Sequence, residues 1–204
     1  MRNKAYSLIV LTSVLFMAAI DLKAADDAAP SQEYQVKAAF LYNFLQFVDW
    51  PDEKLADTDE SLIIGIIGKN PFGNAFEPIK DKKVKNKTVV IKHFESFEKL
   101  KSSAVKDNQD IETLKKCHLL FICSSEQQHL KEIIDTVKDH NVLTVGEMDG
   151  FLEAGGIINW FVEDKKIRFD INATAARESK LEIRSNLLRL AKRVIGEDVA
   201  NNKS

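Results

Sequence analysis

The feature that most constrains the fold is a series of short, almost continuously apolar segments separated by helical patterns. Residues 62–67, 118–123 and 142–145 form such segments, as expected for strands covered on both faces of a sheet. Residues 88–91 are rich in β-branched side chains and indicate a further strand. Helical patterns occupy the intervals, at residues 70–80, 96–101, 110–116 and 125–138. This alternation predicts a three-layer α/β domain with a mostly parallel sheet.

The C-terminal part breaks the alternation and indicates an antiparallel pair of strands. Residues 157–162 and 167–171 flank a polar turn and predict a C-terminal hairpin. A helical segment follows, and a last helix is expected to run from Ser185 to Gly196, where the glycine acts as the C-cap. Three side chains are expected to act as N-caps of their helices: Asn70, Ser125 and Ser185.

Residues 34–49 form a helical pattern with a wide apolar arc. Ser31 is the expected N-cap. Trp50-Pro51 is expected to end the helix, because a residue before proline avoids helical backbone angles. The width of the arc indicates a helix that is covered on more than one side.

Tyr42 lies on the polar arc of that first helix, with Gln46 and Asp49. An aromatic side chain among polar neighbours is typical of a protein interface. Packing of Tyr42 against the helix exit or against the leader segment would explain it equally well. On the interface interpretation, the candidate partner-binding residues are Tyr42, Gln46, Asp49 and Trp50.

The first 24 residues have the pattern of a secretory signal peptide. Arg2 and Lys4 precede an apolar stretch at residues 5–20, and Ala24 ends an A-x-A-like cleavage site. The apolar stretch is short for a membrane span, which needs roughly 20 residues, and an uncleaved anchor is the alternative. We expect a signal peptide at 1–24, a polar leader at 25–30, one domain at 31–196 and a flexible tail at 197–204. The mature chain is then expected in the periplasm and not embedded in the membrane.

The charge balance excludes one large class of function. The chain has 29 Lys and Arg residues against 31 Asp and Glu residues, a net charge of −2, which argues against a general nucleic-acid binder. Its one basic loop carries lysines at positions 80, 82, 83, 85 and 87. This loop is either a solvated turn or a docking site for an acidic partner.

The two cysteines, Cys117 and Cys123, bracket one predicted strand. Their Cα atoms are expected about 20 Å apart, whereas a disulfide needs less than about 7 Å. We therefore expect two buried thiols and no disulfide between them. An intermolecular bridge is the alternative in an oxidising compartment.

Motifs for catalysis and for metal binding are incomplete in this sequence. Gly68 and Lys69 follow the first buried strand but lack the spacing and the hydroxyl residue of a phosphate loop, although weak anion binding there stays open. The four histidines are scattered, without the paired spacing of metal ligands. Ser124 and Ser125 lack the glycines that flank a catalytic serine in a nucleophile elbow. We therefore expect a protein that is not an enzyme, with no catalytic residues, no cofactor and no metal site.

Residues 146–156 carry four of the eight glycines and follow a predicted strand. Ligands of α/β proteins commonly bind at this end of the strands. Glu147, Asp149 and Glu153 are therefore candidate ligands for a cation or an amine. Turn formation is the alternative reason for the glycines.

Several ordered motifs resemble the YfiR-like family of periplasmic proteins. The segment FLYNFLQFVDWP at 40–51 is similar to the family's opening pattern F-x-x-N-F-x-x-F-x-x-W-P. Similar later motifs follow in order: GF at 150–151, GGII at 155–158, IRFDIN at 167–172 and SNLLRLA at 185–191. The resemblance covers residues 31–195, which is essentially the whole expected domain.

The resemblance implies a Rossmann-like α/β fold and a regulatory function without catalysis. A protein of this kind binds and represses the periplasmic part of an inner-membrane diguanylate cyclase, or of a related sensor kinase, and so controls cyclic di-GMP and biofilm formation. The resemblance also implies a homodimer. Some relatives carry redox-active cysteine pairs, but residues 150–160 contain no cysteine here, which argues against that control. The alternative function is a periplasmic small-molecule-binding domain with its pocket at the glycine-rich segment.

Overall fold

The structure is a computed structural model that describes residues 31–56, 60–102 and 109–196. The expected signal peptide, leader and C-terminal tail lie outside the described residues. Within the described part, ten strands and seven α-helices alternate along the chain. None of the helices in that part has the length and the apolar character needed to cross a membrane.

Eight of the strands form one mixed sheet, and the other two form a small ribbon. The strands are β1 Val48–Asp49, β2 Ser61–Ile67, β3 Lys83–Val84, β4 Lys87–Phe94, β5 Leu119–Ile122, β6 Leu143–Gly146, β7 Ile158–Glu163, β8 Lys166–Asn172, β9 Glu182–Ile183 and β10 Arg193–Ile195. The large sheet has the order β10-β8-β7-β6-β5-β2-β4-β3, and β1 pairs with β9 in the ribbon.

The helices are short apart from the first one. They are α1 Gln32–Phe47, α2 Asp52–Ala56, α3 Phe97–Ser102, α4 Gln109–Lys115, α5 Leu130–Val137, α6 Ala173–Glu178 and α7 Ser185–Leu188. Two 3-10 helices, Ser124–His129 and Lys138–His140, flank α5. Helices on both faces of the sheet give the three layers that the sequence predicts.

The core is divided into two apolar clusters, one on each face of the sheet. The first cluster packs under α1 and contains large buried side chains such as Phe44, Phe121 and Trp160. The second packs under α3, α4 and α5 and contains Leu120 and Ile133. Adjacent residues of β5 alternate between the clusters, which explains why this strand is apolar along its whole length.

The mostly parallel sheet with a C-terminal antiparallel hairpin is confirmed. Strands β4, β2, β5, β6 and β7 run parallel, and β8 returns antiparallel to β7 with Trp160 opposite Phe169. Strand β10 runs parallel to β8 at one edge of the sheet, and a second antiparallel pair, β3 with β4, lies at the other edge. The arrangement is a Rossmann-like α/β fold.

The first helix begins as predicted but ends earlier. Ser31 is its N-cap, and the Ser31 hydroxyl accepts a hydrogen bond from the Tyr34 backbone N–H at 3.4 Å. The helix ends at Phe47 instead of residue 49, because Val48 and Asp49 pair with β9 in the small ribbon. Backbone hydrogen bonds to a distant strand thus replace the last half-turn of the helix.

The helix predicted at residues 70–80 is wrong. Asn70 accepts a hydrogen bond from the Phe72 N–H at 2.9 Å, but the chain continues as successive turns. Gly73 adopts a φ of +49°, which interrupts a right-handed helix. The apolar side chains Phe72, Phe76 and Ile79 still pack in the first core cluster. The apolar spacing of this segment therefore reflects burial in the core and not a helix.

The last helix is also shorter than predicted. It ends at Leu188, and Val194 lies in β10, opposite Ile171 of β8. Edge pairing of β8 competes with helix continuation here, because a strand edge left open carries unpaired backbone groups. Gly196 therefore follows a strand and does not cap a helix. Ser125 and Ser185 are likewise not N-caps. Ser125 lies inside the 3-10 helix that starts at Ser124, and Ser185 is the first residue of α7, whose N-cap is Arg184.

Candidate functional site

The crevice between β2 and β5 is the place where a fold of this kind commonly binds ligands, because the strand order reverses there. Here the chain's own side chains occupy it. The Ser125 hydroxyl accepts a hydrogen bond from the Lys69 N–H at 2.9 Å and donates one to the Glu126 carboxylate at 3.3 Å. Glu126 is 2% exposed, and its other oxygen accepts from the Phe97 N–H at the start of α3. Sequence reasoning missed Glu126, because no motif marks it.

Glu147, a predicted ligand residue at the end of β6, is bound by residues of α1. Its Oε1 accepts a hydrogen bond from the Tyr34 hydroxyl at 2.7 Å, and its Oε2 pairs with the ammonium group of Lys37. Lys37 also pairs with Glu33, one turn earlier in the helix. We call these four residues the Lys37 cluster. The sequence makes Glu147 a candidate ligand for an external cation or amine. In the structure its carboxylate binds the ammonium group of Lys37.

Lys37, the centre of the Lys37 cluster, is buried beside two aromatic rings, whereas Glu33 is exposed. Lys37 is 4% exposed, and its Nζ lies 4.5 Å from the ring centroid of Tyr34 and 5.9 Å from that of Trp160. Burial, together with the hydrogen bond to Glu147, raises the pKa of the Tyr34 hydroxyl above its ordinary value. Tyr34 therefore stays protonated and acts as a donor. The cluster fastens α1 to the end of β6 and contains no activated nucleophile.

The other two predicted ligand residues, Asp149 and Glu153, are exposed. Asp149 contributes its backbone carbonyl, which accepts a hydrogen bond from the Gln127 side chain at 3.2 Å. Glu147 is turned toward α1, so the three carboxylates do not share one environment.

Two glycines of the same segment make room for a buried aromatic ring. Phe151 is fully buried, and a Cβ added at Gly146 would lie 2.3 Å from its ring. A Cβ added at Gly156 would lie 2.2 Å from the other side of the ring. Close packing around Phe151 therefore accounts for both glycines without a ligand.

Asp49, a predicted partner-binding residue, joins three parts of the chain at the end of α1. Arg184 donates to both of its oxygens, at 2.7 and 2.9 Å, and Lys85 donates to one of them at 2.6 Å. The hydrogen bond from Arg184, with Lys85 adding to it, lowers the pKa of the Asp49 carboxyl, although burial opposes the shift. Arg184 carries no sequence signal that points to this role.

Tyr42 and Gln46 lie beside this ion-pair group, and both are half-buried. The Tyr42 hydroxyl donates to the backbone carbonyl of Lys83 at 3.4 Å, and the Lys82 ammonium lies 6.0 Å from the Tyr42 ring centroid. The basic loop of the sequence thus includes the β3–β4 hairpin, which lies next to α1. We call the combined region the α1-exit surface: Tyr42, Gln46, Asp49, Lys82, Lys83, Lys85 and Arg184.

Trp50 is a core residue, in contrast to its three fellow candidates. It is 5% exposed, and its indole N–H donates to the backbone carbonyl of His118 at 3.2 Å. The His118 ring packs edge-on against it with centroids 5.8 Å apart. Burial lowers the pKa of His118 to about 3, so this histidine is neutral at physiological pH. The Lys85 ammonium lies 5.4 Å from the Trp50 ring centroid, so Trp50 packs against the α1-exit surface.

The cysteines are both buried and unpaired, and they face opposite sides of the sheet. Burial raises the pKa of each thiol to about 12, so neither is an activated nucleophile. Within the ranges 31–56, 60–102 and 109–196, no three His, Cys, Asp or Glu side chains come together as a possible metal site.

Comparison with known proteins adds a family and a fold. The sequence model of the YfiR/HmsC-like family matches residues 34–192. A search of curated proteins finds no match. Among solved structures, a conserved domain protein from Vibrio cholerae is 12% identical, with a TM-score of 0.53 over 79% of this chain.

The chain spans 60% of the length of that Vibrio protein. An ABC domain in complex with L-Trp from Streptococcus pneumoniae is also 12% identical, with a TM-score of 0.46 over 66% of this chain and 55% of its own. At this identity the Vibrio likeness shows a shared fold alone.

Proposed function

The chain belongs to the YfiR/HmsC-like family, and we propose that it is a periplasmic regulatory protein. In this proposal it binds the periplasmic part of an inner-membrane diguanylate cyclase, or of a related sensor kinase, and represses it. Cyclic di-GMP levels and biofilm formation would then follow the state of the cell envelope. The single observation that carries the proposal is the family match over residues 34–192, which includes nearly all described elements.

The side chains at the edge of the sheet where such folds bind ligands favour binding to a macromolecule over catalysis. Glu126 occupies the β2–β5 crevice, and Glu147 is paired with Lys37 at the end of β6. Buried thiols with a raised pKa and a neutral buried His118 do not form an activated nucleophile and base. These features support a protein that acts through its surface.

We place the partner contact on the α1-exit surface. Tyr42 offers an aromatic ring, and the exposed Lys82 and Lys83 add positive charge beside it. The ion pairs of Asp49 with Lys85 and Arg184 hold this surface in one conformation, which lowers the conformational cost of binding. The partner surface that fits is acidic with an apolar centre.

Deletion of the gene tests the regulatory proposal. Loss of a repressor releases the cyclase, so cellular cyclic di-GMP and surface adhesion should both rise. Complementation with the wild-type chain should restore the original level, whereas a Lys82→Glu/Lys83→Glu chain should restore it only in part. Unchanged cyclic di-GMP after deletion would rule out repression of a cyclase.

We also propose that the protein forms a homodimer. Among the described residues, the exposed large apolar side chains are Val36, Val162 and Leu190, and such side chains are commonly covered in dimers. Light scattering coupled to size exclusion should give twice the mass of the mature chain at micromolar concentration. A monomer mass across the accessible concentrations would contradict this proposal.

A further inference from the structure

A cavity of about 400 Å³ opens between α6, β9 and α7, away from the edge of the sheet discussed above. Its volume falls in the range of roughly 300 to 1,000 Å³ that is typical of small-molecule pockets. The side chains that line it are Ala173, Ala176, Arg177, Lys180, Leu181, Glu182, Ile183 and Leu188.

The interior of the cavity is apolar. Ala173, Ala176 and Leu181 are at most 8% exposed and belong to the core. Ile183 and Leu188 are half-buried and pack against the same apolar cluster. An apolar chain that enters this space removes its own surface from water, which favours binding.

The mouth of the cavity carries more positive than negative charge. Two cationic residues, Arg177 and Lys180, and one carboxylate residue, Glu182, line the cavity and are exposed. One guanidinium nitrogen of Arg177 donates to the backbone carbonyl of Gly196 at 2.6 Å, which fixes the side chain. The guanidinium group has further N–H donors besides that nitrogen. An anionic group at the mouth would meet two cations.

We propose that this cavity binds a medium-chain fatty acid, with its alkyl chain in the apolar interior and its carboxylate between Arg177 and Lys180. Charge complementarity selects an anion over an amine, and the apolar lining selects an alkyl chain over a sugar or a free phosphate. Strand β9 forms one wall of the cavity and pairs with Val48 and Asp49 of β1. A bound ligand would therefore contact β9, the strand that supports the α1-exit surface. The binding site itself does not depend on the proposed regulatory function.

Isothermal titration calorimetry with decanoate, below its micelle concentration, tests this inference on the mature chain. Decanoate should bind with one-to-one stoichiometry, and decylamine, which has the same chain with the opposite charge, should bind at least about tenfold more weakly. Equal affinity for the two amphiphiles, or no heat with decanoate, would overturn the proposal.

Two charge-reversal variants locate the site. Lys180 and Lys165 are both exposed lysines with positive φ angles of 54° and 60°, so they form a matched pair. Lys180→Glu should weaken decanoate binding about tenfold, because a charge-assisted contact becomes a repulsion. Lys165→Glu, in the β7–β8 turn, should leave it unchanged. Equal effects of the two variants would place the ligand elsewhere, and thermal unfolding of both chains checks that they are folded.

Discussion

Lys37 carries an ammonium group into the interior beneath α1, where only 4% of the residue is exposed. Its partner Glu147 is 13% exposed at the side chain, so the pair is largely shielded from water. Removing one member of such a pair leaves the other buried without compensation, which is far more costly than the net worth of the pair. The stability of α1 on the sheet therefore depends on both charges together.

We predict that Lys37→Met lowers the free energy of unfolding by about 3 kcal/mol. In the double variant Lys37→Met/Glu147→Gln, the loss should shrink to about 1 kcal/mol, because the glutamine amide still accepts from Tyr34 and carries no charge. Urea denaturation of the wild type, the two single variants and the double variant measures this coupling.

Lys131 provides the control for that experiment, since it pairs with Asp135 on the surface of α5 at the same i,i+4 spacing as Glu33 and Lys37. Lys131→Met should cost less than about 0.5 kcal/mol. Additive losses for Lys37→Met and Glu147→Gln would show that the two charges are not coupled.

Asp49 predicts a specific dependence of stability on pH. Its pKa is lowered from the ordinary 3.8, first by Arg184 and then by Lys85. Stabilisation by a depressed carboxyl pKa is complete above the unfolded value and disappears as pH falls through the lower folded value. We expect Asp49→Asn to cost about 1 kcal/mol at pH 7, a figure kept small because the pair is partly exposed.

The difference between wild type and Asp49→Asn should stay constant from pH 7 to about pH 5, and it should shrink as pH falls below 3.8 and through the lowered folded-state pKa of Asp49. Denaturation curves over that pH range measure it. A difference that persists undiminished at pH 2 would show that the Asp49 charge is not its source.

At the scale of elements, residues 146–156 connect β6 to β7 around the ring of Phe151. Gly146 and Gly156 approach opposite edges of that ring, so a methyl group at either position forces the ring or the backbone to move. The connection is thus a packed part of the second core cluster and not an open loop.

We predict that Gly146→Ala destabilises the protein by about 1–3 kcal/mol through overpacking. In a Phe151→Leu background the same substitution should cost markedly less, because the smaller side chain leaves room for the methyl group. Thermal unfolding of the four chains of this cycle gives the coupling. An equal cost in both backgrounds would mean that the ring is not the obstacle.

Elements set by local pattern could be predicted from the sequence, and those set by distant pairing could not. The continuous apolar run of β2 and the polar turn between β7 and β8 carry their own signals, and both lie where the patterns place them. Val48 and Val194 have apolar spacing suited to helices, but they lie in strands because β9 and β8 offer them backbone partners. No local pattern contains that information.

The candidate site follows the same division. The α1 segment that carries Tyr42 and Asp49 was identified from its polar arc, whereas Arg184 reaches Asp49 across 135 positions of sequence. The glycine-rich segment predicts a ligand site from its composition, but packing around Phe151 accounts for Gly146 and Gly156. A segment whose glycines make room for a buried ring can have the same amino-acid composition as a loop that binds a ligand. Composition alone therefore does not distinguish the two.

At the scale of the whole molecule, the α1-exit surface combines α1, the β3–β4 hairpin and the residue after β9. If the proposed interface is correct, Tyr42→Ala should weaken capture of the proposed membrane partner at least about tenfold, because aromatic residues commonly dominate the binding energy of interfaces. Lys131→Ala is the control, because Lys131 is exposed on α5 and lies outside both this surface and the apolar side chains proposed for the dimer. Affinity capture with unchanged melting temperatures measures the effect, and normal capture by Tyr42→Ala would move the interface elsewhere.

Co-purification of the membrane partner tests the central claim most directly. The full chain with a C-terminal tag is expressed in its host, and the complex is isolated from detergent-solubilised membranes and analysed by mass spectrometry. We expect a diguanylate cyclase, or a related sensor kinase, with a periplasmic domain to be recovered at near-equal amounts. Recovery of the chain in the cytosol, without any such membrane protein, would contradict the account.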